Sequence, residues 1–459
     1  MQKFRIESDS IGEKQIPIDA YYGVQTLRAK ENFQISGKKV HPEFVKSIVE
    51  TKKASAIANK NSGALKEDVA NAIIKACDDI LSGKYVENFI VDAIQGGAGT
   101  SVNMNANEVI ANVAIEYLGG EKGNYKIVHP NDHVNCGQST NDVYPSAGKI
   151  TIIKLLKKAI VALEDYYDAL MKKSVEFEDV VKMGRTEMQD AVPVTFGQVF
   201  KAYAAPIKRD IKRFNQAIKE LSVLNMGGTA IGTGITADKE YIKNIVPELS
   251  KVCGIEFTQA DDLVEATQNL DSFVFVSGIV KSCATTLSKT ANDLRLMSSG
   301  PRTGFGEINI PAKQNGSSIM PGKVNPVIPE VINEIAFNII GNDTTVTMAV
   351  EAGQLELNAF EPIIFYCLFE SIETLTNGLK AFKNSCIDGI TVNEDICIEE
   401  IEQSTTTITA LCPYIGYTKA ASIAKKALKE RKKIKDVLLE ENIIDPSLID
   451  SILDPHKMV

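Results

Sequence analysis

The chain has 459 residues, of which 44% are hydrophobic and 24% are charged. This composition is typical of a globular protein with room for two or three domains, and it excludes a disordered chain or a small disulfide-held module. A formal net charge of −9 argues against a surface that binds nucleic acid or anionic lipid. The sequence has no run of about 18 apolar residues, so no membrane span is predicted. We therefore expect neither a nucleic acid nor a membrane as a partner.

The cysteine and histidine positions predict no metal site. The eight cysteines are scattered, without a Cys-x-x-Cys pair or a Cys/His cluster of zinc spacing, which predicts reduced thiols. His129 and His133 have the spacing of two helical metal ligands, but Pro130 argues against a shared helix face. The first residues, MQKFRIESDSIGEKQIP, lack the apolar stretch of a secretory signal. We expect a cytoplasmic protein without a metal.

The predicted elements begin with an irregular segment at residues 3 to 40. Four proline-free stretches follow, at 43 to 129, 146 to 192, 248 to 300 and 363 to 412, and each can hold long helices. The second contains apolar residues at alternating spacings of three and four, which predicts a long bundle helix with one buried stripe. The stripe consists of Ile153, Leu156, Ile160, Leu163, Tyr167 and Leu170.

The later part of the chain continues this helical pattern. Residues 262 to 299 contain a single glycine, Gly278. A helix over all of these residues would span roughly 57 Å at 1.5 Å per residue. Such a length exceeds the needs of a compact monomer, so we expect helices of several subunits to pack together. Residues 300 to 329, rich in Gly and Pro, are expected to be irregular. The alternating signals of an α/β sheet are absent, and the fold class is mostly α with a central bundle of long helices.

Three segments carry many hydroxyl, amide and glycine groups. Each segment alone is more often a helix cap or a turn than a site. Together they offer many neutral donors and one lysine, which suits a small carboxylate substrate bound without a metal. Their candidate residues are Thr100 and Ser101, then Ser139, Thr140 and Asn141, and finally Ser317, Ser318, Lys323 and Asn325.

Two glycine patterns do not indicate a nucleotide cofactor. In GSSIMPGK five residues separate the glycines, and Val324 stands where a phosphate loop needs Ser or Thr. Gly232, Gly234 and Ala237 fit a dinucleotide pattern, but no apolar strand precedes them. We expect no cofactor.

The eleven residues GSSIMPGKVNP from Gly316 resemble the signature of the fumarase/aspartase superfamily. The similarity extends along nearly the whole chain, through AYYGVQTLRAKENFQISG near the start, GRTEMQDAVP from Gly184 and LCPYIGYTKAASIAKKAL near the end. QGGAGTSVNMN, GQSTNDVYP and KVNPVIPE look like the aspartate ammonia-lyase branch. Class II fumarases usually have SGTQTNMN-like, SQSSNDTFP-like and KVNPTQCE-like versions instead.

The resemblance implies a fold and a reaction. The fold is a three-domain, mostly α subunit in a homotetramer with a helical core, and three subunits contribute to each active site. We place the domains at 1 to 139, 140 to 394 and 395 to 459. The implied reaction is the reversible anti elimination of ammonia from L-aspartate to fumarate through an enediolate, without an organic cofactor. The alternatives are a class II fumarate hydratase, acting on malate, and a non-catalytic relative.

The resemblance also assigns roles to residues. Ser317 matches the catalytic base that removes a proton from Cβ, and we expect Lys323 and backbone N–H groups of its loop to activate it. Lys323 and Asn325 match groups that hold a substrate carboxylate. The loop from about Gly316 to Asn325 is expected to close over the substrate as a lid. The remaining matched substrate contacts are Thr100, Ser139, Thr140, Asn141, Thr186 and Ser318, and Ser101 is added as the neighbour of Thr100.

One position departs from the family pattern. Many members have RTH or RTQ where this chain has Arg185, Thr186 and Glu187. A carboxylate here could accept hydrogen bonds from a substrate ammonium, which favours an amine over malate. The other interpretation is that Glu187 points away from the site and pairs with Arg185 or a lysine. The sequence leaves both open.

Overall fold

A computed structural model describes residues 3–459, and most of them are helical. The helices are α1 Val24–Asn32, α2 Pro42–Ser62, α3 Glu67–Leu81, α4 Thr100–Tyr117, α5 Thr140–Glu176, α6 Phe196–Leu221, α7 Lys239–Cys253, α8 Leu263–Gln268, α9 Asp271–Met297, α10 Val327–Glu351, α11 Glu361–Ser385, α12 Glu394–Gln403, α13 Cys412–Ile415, α14 Tyr417–Glu430, α15 Ile434–Glu441 and α16 Pro446–Ile452.

The strands are short and pair only in twos. They are β1 Phe4–Asp9, β2 Gly12–Pro17, β3 Val181–Thr186, β4 Gln189–Thr195, β5 Val223–Leu224, β6 Thr258–Gln259, β7 Ile308–Asn309 and β8 Thr391–Val392. Only the β5 and β6 pair is parallel, and the other three sheets in the described range are antiparallel. The mostly α fold class is therefore confirmed.

The chain forms two compact units, each built from three separate stretches. The first runs from the N-terminus to Ala159 and includes Arg213–Lys281 and Asn338–Thr374. The second contains Ile160–Lys212, Ser282–Phe337 and Leu375–Val459. These units follow spatial packing, whereas the three expected domains are continuous in sequence. The three-domain division stays a prediction.

Aromatic and small residues pack the helices in both units. In the first, the Phe44 ring lies 5.0 Å from Tyr144 and 5.5 Å from Phe365, which joins α2, α5 and α11. In the second, Tyr166 of α5 stacks on Phe382 of α11 at 5.4 Å. Gly378 of the same helix lets Ile335 of α10 approach closely. Long helices therefore supply the core of each unit.

The predicted bundle helix is present as α5, with 37 residues or roughly 56 Å. Ile153, Leu156, Leu163 and Leu170 of the predicted stripe are fully or almost fully buried. Tyr166, rather than the predicted Tyr167, is the buried tyrosine. The sequence pattern thus located the buried face at four of its six positions, whereas Ile160 and Tyr167 are half-buried.

Two predictions of secondary structure were wrong. Residues 262 to 299 do not form one helix, because Asn269 adopts an extended conformation that separates α8 from α9. Residues 3 to 40 are not irregular, because β1 and β2 form a hairpin and α1 follows. Arg5 holds this region through bonds to the carbonyls of Ala20 and Tyr22, at 2.7 and 2.8 Å, beside a small buried apolar cluster of Ile16, Ala20 and Val24.

The segment from 300 to 329 is largely irregular, as expected. It contains the two-residue strand β7, and α10 begins at Val327. Across residues 3–459, no helix combines the length and apolar character that a membrane-spanning segment requires. All eight cysteines are free thiols, as the sequence predicted.

Candidate active site

The first unit brings two of the three polar segments into direct contact. Thr100 and Ser101 begin α4, and Asn103 lies one turn further along. The Asn103 side chain donates to the Thr140 hydroxyl at 3.0 Å. Ser139, Thr140 and Asn141, here called the Ser139 turn, therefore lie against the start of α4.

Ser139 caps the long helix α5. Its hydroxyl accepts from the Asn141 N–H at 3.2 Å, and the Asp142 carboxylate accepts from the Ser139 N–H at 2.9 Å. This reciprocal arrangement is a capping box with Asp in place of Glu. The helix-cap interpretation of Ser139 is thus correct as local structure, and the cap also fixes the serine at the N-terminal end of the helix.

Asn141 is fixed by bonds to a second part of the same unit. Its side chain donates to the Ala230 carbonyl at 2.7 Å. Its own carbonyl would normally accept from the N–H four residues later, but that residue is Pro145, which lies inside α5 and has no N–H. Asn225 supplies the missing donor at 3.0 Å. The proline therefore leaves the start of α5 intact and ties it to residues 225 to 230.

Two buried charges lie behind the Ser139 turn. Asp142 also accepts from the N–H groups of Gly227 and Thr229, at 3.2 and 3.1 Å. Burial raises the pKa of Asp142 to about 6, against the opposing effect of these bonds. Burial lowers the pKa of Lys52 to about 7, and the Asp142 carboxylate acts in the opposite direction.

Ser101 lines a different space from the turn. A cavity of about 530 Å³ in the first unit is bordered by Ser101, Arg28, His129 and Asn131 among others. His129 Nδ1 accepts from the N–H groups of Asn131 and Asp132, each at 3.2 Å. In the described part of the chain, no group of three or more His, Cys, Asp or Glu side chains is placed to hold a metal.

In the second unit, Ser317 lies in a closed loop between Asn315 and Asn325. An isolated bridge joins Asn315 to Val324, and the Gly316 N–H donates to the Lys323 carbonyl at 2.7 Å. A Cβ at Gly316 would lie 2.8 Å from that same carbonyl, so the closure requires glycine. The loop is therefore fixed at its base.

The Ser317 hydroxyl faces two backbone donors. It accepts from the N–H groups of Ile319 at 3.2 Å and Met320 at 3.0 Å. These dipoles stabilise negative charge on the oxygen, as donors of an oxyanion hole do. The loop backbone therefore has the geometry that the predicted activation of Ser317 requires.

The other loop candidates differ in their surroundings. Asn325 donates to the Gly316 carbonyl at 3.0 Å and so supports the base of the loop. Ser318 and Lys323 are exposed, and no carboxylate of residues 3–459 forms an ion pair with Lys323. The lysine ammonium is thus accessible to an anionic ligand. Ile319 at the tip is 84% exposed, an unusual position for an apolar side chain.

Thr186 and Glu187 lie at a tight hairpin turn in the second unit. Thr186 pairs with Gln189, and the two residues between them, Glu187 and Met188, have φ values of 53° and 65°. Such a turn normally has Asn or Gly at both positions. Both Thr186 and Glu187 are exposed.

Arg185 is occupied by other carboxylates, so the pair of Glu187 with Arg185, one of the interpretations that the sequence left open, does not form. Arg185 binds the buried Glu307 at 2.6 Å and Glu400 of α12 at 2.9 Å. Lys182 also contacts Glu307, at 3.2 Å. Among the described residues, Glu187 has no ion pair with any lysine or arginine.

The candidate site residues thus lie in separate parts of the chain. The first unit joins the start of α4 to the Ser139 turn, and the second holds the hairpin turn and the Ser317 loop. Within the second unit, no hydrogen bond among the described residues joins that hairpin turn to the loop. Sequence reasoning gave no sign of Lys52, which is fully buried, or of Asn135, whose Oδ1 accepts from the Lys52 ammonium at 2.8 Å. A lysine in an ordinary helix gives no signal of its burial.

Comparisons of the sequence with known proteins identify the family. A family model for lyases matches residues 12–341, and a model for the C-terminus of fumarase C matches residues 408–459. An aspartate ammonia-lyase of Bacillus subtilis is 50% identical, with 100% of this chain and 96% of the relative covered. One of Helicobacter pylori is 51% identical, with 99% and 98% covered.

Solved structures agree with the sequence relatives. A fumarate lyase:delta crystallin from Brucella melitensis has a TM-score of 0.97 at 48% identity, with 99% of both chains covered. A class II fumarase from Schistosoma mansoni has a TM-score of 0.96 at 33% identity, also with 99% of both covered. The chain therefore belongs to the lyase family, within the fumarase/aspartase superfamily.

Proposed function

We propose that the chain is a carbon-nitrogen lyase that converts L-aspartate reversibly to fumarate and ammonia. The structural observation that carries the proposal is the Ser317 hydroxyl, held at 3.2 and 3.0 Å from two backbone N–H groups in a glycine-containing loop. The proposal is also supported by aspartate ammonia-lyases that are 50 and 51% identical over nearly the whole chain.

The reaction begins with removal of a proton from Cβ of aspartate. In this proposal Ser317 accepts that proton as an oxyanion, which the Ile319 and Met320 N–H groups stabilise. The electron pair moves into the neighbouring carboxylate and forms an enediolate. That pair then forms the C=C bond of fumarate while the C–N bond breaks and ammonia leaves.

Each substrate carboxylate requires donors that are already in place. We assign one carboxylate to Lys323 and Asn325, because an exposed ammonium and an adjacent amide supply charge and direction. We assign the remaining substrate contacts to neutral donors. A donor that acts on the enediolate would stabilise it by roughly 3 kcal/mol, as one donor of an oxyanion hole does. These donors are Thr100, Ser101, Ser139, Thr140, Asn141, Thr186 and Ser318.

We further propose that this enzyme is a homotetramer in which three subunits contribute to each site. From Ile335 to Val350 the only charged residue of α10 is Asp343, which is buried. Phe337, Ile340 and Met348 lie within one arc of that helix, and they are 64%, 39% and 67% exposed. A charge-free, apolar face is typical of an obligate interface. Eight free thiols support a cytoplasmic location.

The test is fumarate production, followed by ultraviolet absorbance, with L-aspartate or L-malate given in parallel. We expect turnover of aspartate, with ammonia release, and none of malate. Ser317→Ala should lower kcat at least about 100-fold in a folded protein, because the base is lost. Gln314→Ala, an exposed position before the loop, is the control. Turnover of malate alone would identify a fumarate hydratase, and an active Ser317→Ala would contradict the serine assignment.

A further inference from the structure

A fully buried lysine lies next to the Ser139 turn. Lys52, in the middle of α2, has no exposed surface. Its ammonium donates to Asn135 Oδ1 at 2.8 Å and to Gln138 Oε1 at 2.9 Å. Because a buried ammonium is costly without partners, these two amide oxygens have strongly preferred positions.

The same two amides shape the chain just before the turn. Asn135 Nδ2 donates to the Gln138 carbonyl at 3.0 Å. Gln138 Nε2 donates to the carbonyls of Val134 and Cys136, each at 3.1 Å. Residues 134 to 138 are therefore folded around the lysine partners, and Ser139 follows directly. A displacement of Gln138 would move the cap of α5.

Asn135 also connects the lysine to α4. Its Oδ1 accepts from the Asn103 and Asn107 side chains, each at 3.2 Å. Asn103 is the residue that donates to the Thr140 hydroxyl. One buried cation thus lies at the centre of a network that reaches both the start of α4 and the Ser139 turn.

We propose that Lys52 is a positioning residue for the Ser139 turn, to which the proposed function assigns substrate contacts, and acts through Asn135 and Gln138. It does not touch the substrate, because it is fully buried behind the turn. The identity of the substrate in this proposal rests on the proposed function. A lysine that served only the stability of the fold would leave binding by the folded protein unchanged.

The test compares Lys52→Met with Lys53→Met. Lys53 is the adjacent residue, but it pairs with Asp78 at 2.6 Å on the surface and has no contact with the network. Three quantities are measured on folded enzyme: kcat/KM for aspartate, the Kd of succinate, and hydrogen–deuterium exchange of residues 134 to 142. Succinate is a four-carbon dicarboxylate that cannot undergo the elimination.

We expect Lys52→Met to raise the Kd of succinate at least about 10-fold and to lower kcat/KM about 100-fold, the effect of a misplaced contact. Exchange should become faster at residues 134 to 142 and stay unchanged elsewhere. Lys53→Met should match the wild type in all three measurements.

Wild-type values for Lys52→Met would overturn the proposal. If that variant does not fold, Asn135→Leu takes its place, since it removes the acceptor that links the lysine to α4. Failure of both to fold would also overturn it, because the network would then support the whole unit. Should the wild type fail to convert aspartate, the exchange measurement still decides the role of Lys52 independently of the reaction.

Discussion

Glu187 lies in a turn whose backbone conformation is unfavourable for its residue type. Both Glu187 and Met188 have positive φ, a conformation that costs an L-residue roughly 1 to 2 kcal/mol. Neither is the Asn or Gly that such a turn favours. Backbone strain of this kind is retained at functional sites more often than elsewhere. The strain supports the interpretation in which Glu187 accepts hydrogen bonds from the substrate ammonium.

We therefore predict that Glu187→Gln raises KM for aspartate about 10-fold while kcat changes less, since a neutral amide binds an ammonium more weakly than a carboxylate. Steady-state kinetics at several aspartate concentrations measures both constants. Asp190→Asn is the matched control, because Asp190 is an exposed carboxylate in the same hairpin. An unchanged KM in Glu187→Gln would mean that the carboxylate does not contact the substrate.

At the scale of elements, the start of α4 depends on one glycine. Gly99 is the N-cap, with φ of 87°, and a Cβ there would collide with the ring of the buried Tyr144 on α5. Gly97 has nearly the same φ, 91°, but open space around its Cβ position. The two glycines therefore separate the cost of backbone conformation from the cost of packing.

We predict that Gly97→Ala lowers the free energy of unfolding by about 1 kcal/mol, the cost of positive φ alone. Gly99→Ala should cost about 3 kcal/mol, because overpacking adds to the same backbone strain. Urea unfolding of both variants, at equal protein concentration, measures the difference. Equal losses would show that Tyr144 moves aside, and that the approach of α5 to the start of α4 does not require glycine.

At the scale of the whole molecule, the apolar face of α10 determines the predicted assembly. Phe337 is 64% exposed on this face, and Leu428 is 65% exposed on α14. The two positions differ in their neighbours, since only the first belongs to a stripe without charge. An equal change at both therefore tests the stripe and not exposed apolar surface in general.

We predict that Phe337→Lys converts the proposed tetramer to smaller species and lowers activity per subunit, because a buried unpaired charge disrupts an apolar interface. Sedimentation velocity gives the mass, and the aspartate assay gives the activity. Leu428→Lys should remain tetrameric and active. A tetrameric Phe337→Lys would place the subunit interface elsewhere.

Local patterns of sequence determined much of this protein. Proline-free stretches and the three-four spacing of apolar residues gave the long helix α5 and its buried stripe, because helix periodicity is a local property. The family signature around Gly316 pointed to the Ser317 loop and to the lyase family. Cap chemistry at Ser139 was also readable, since a capping box lies within four residues.

Only the tertiary structure decided what depends on distant residues. The N-terminal hairpin is held by hydrogen bonds from Arg5 and by a cluster of only three buried apolar residues, so its sequence looked irregular. Arg185 pairs with Glu307 and Glu400, more than a hundred positions along the chain, and so is not the partner of Glu187. Lys52 is buried because residues 134 to 138 fold over it. Burial and pairing of charges follow from long-range packing, which no local pattern encodes.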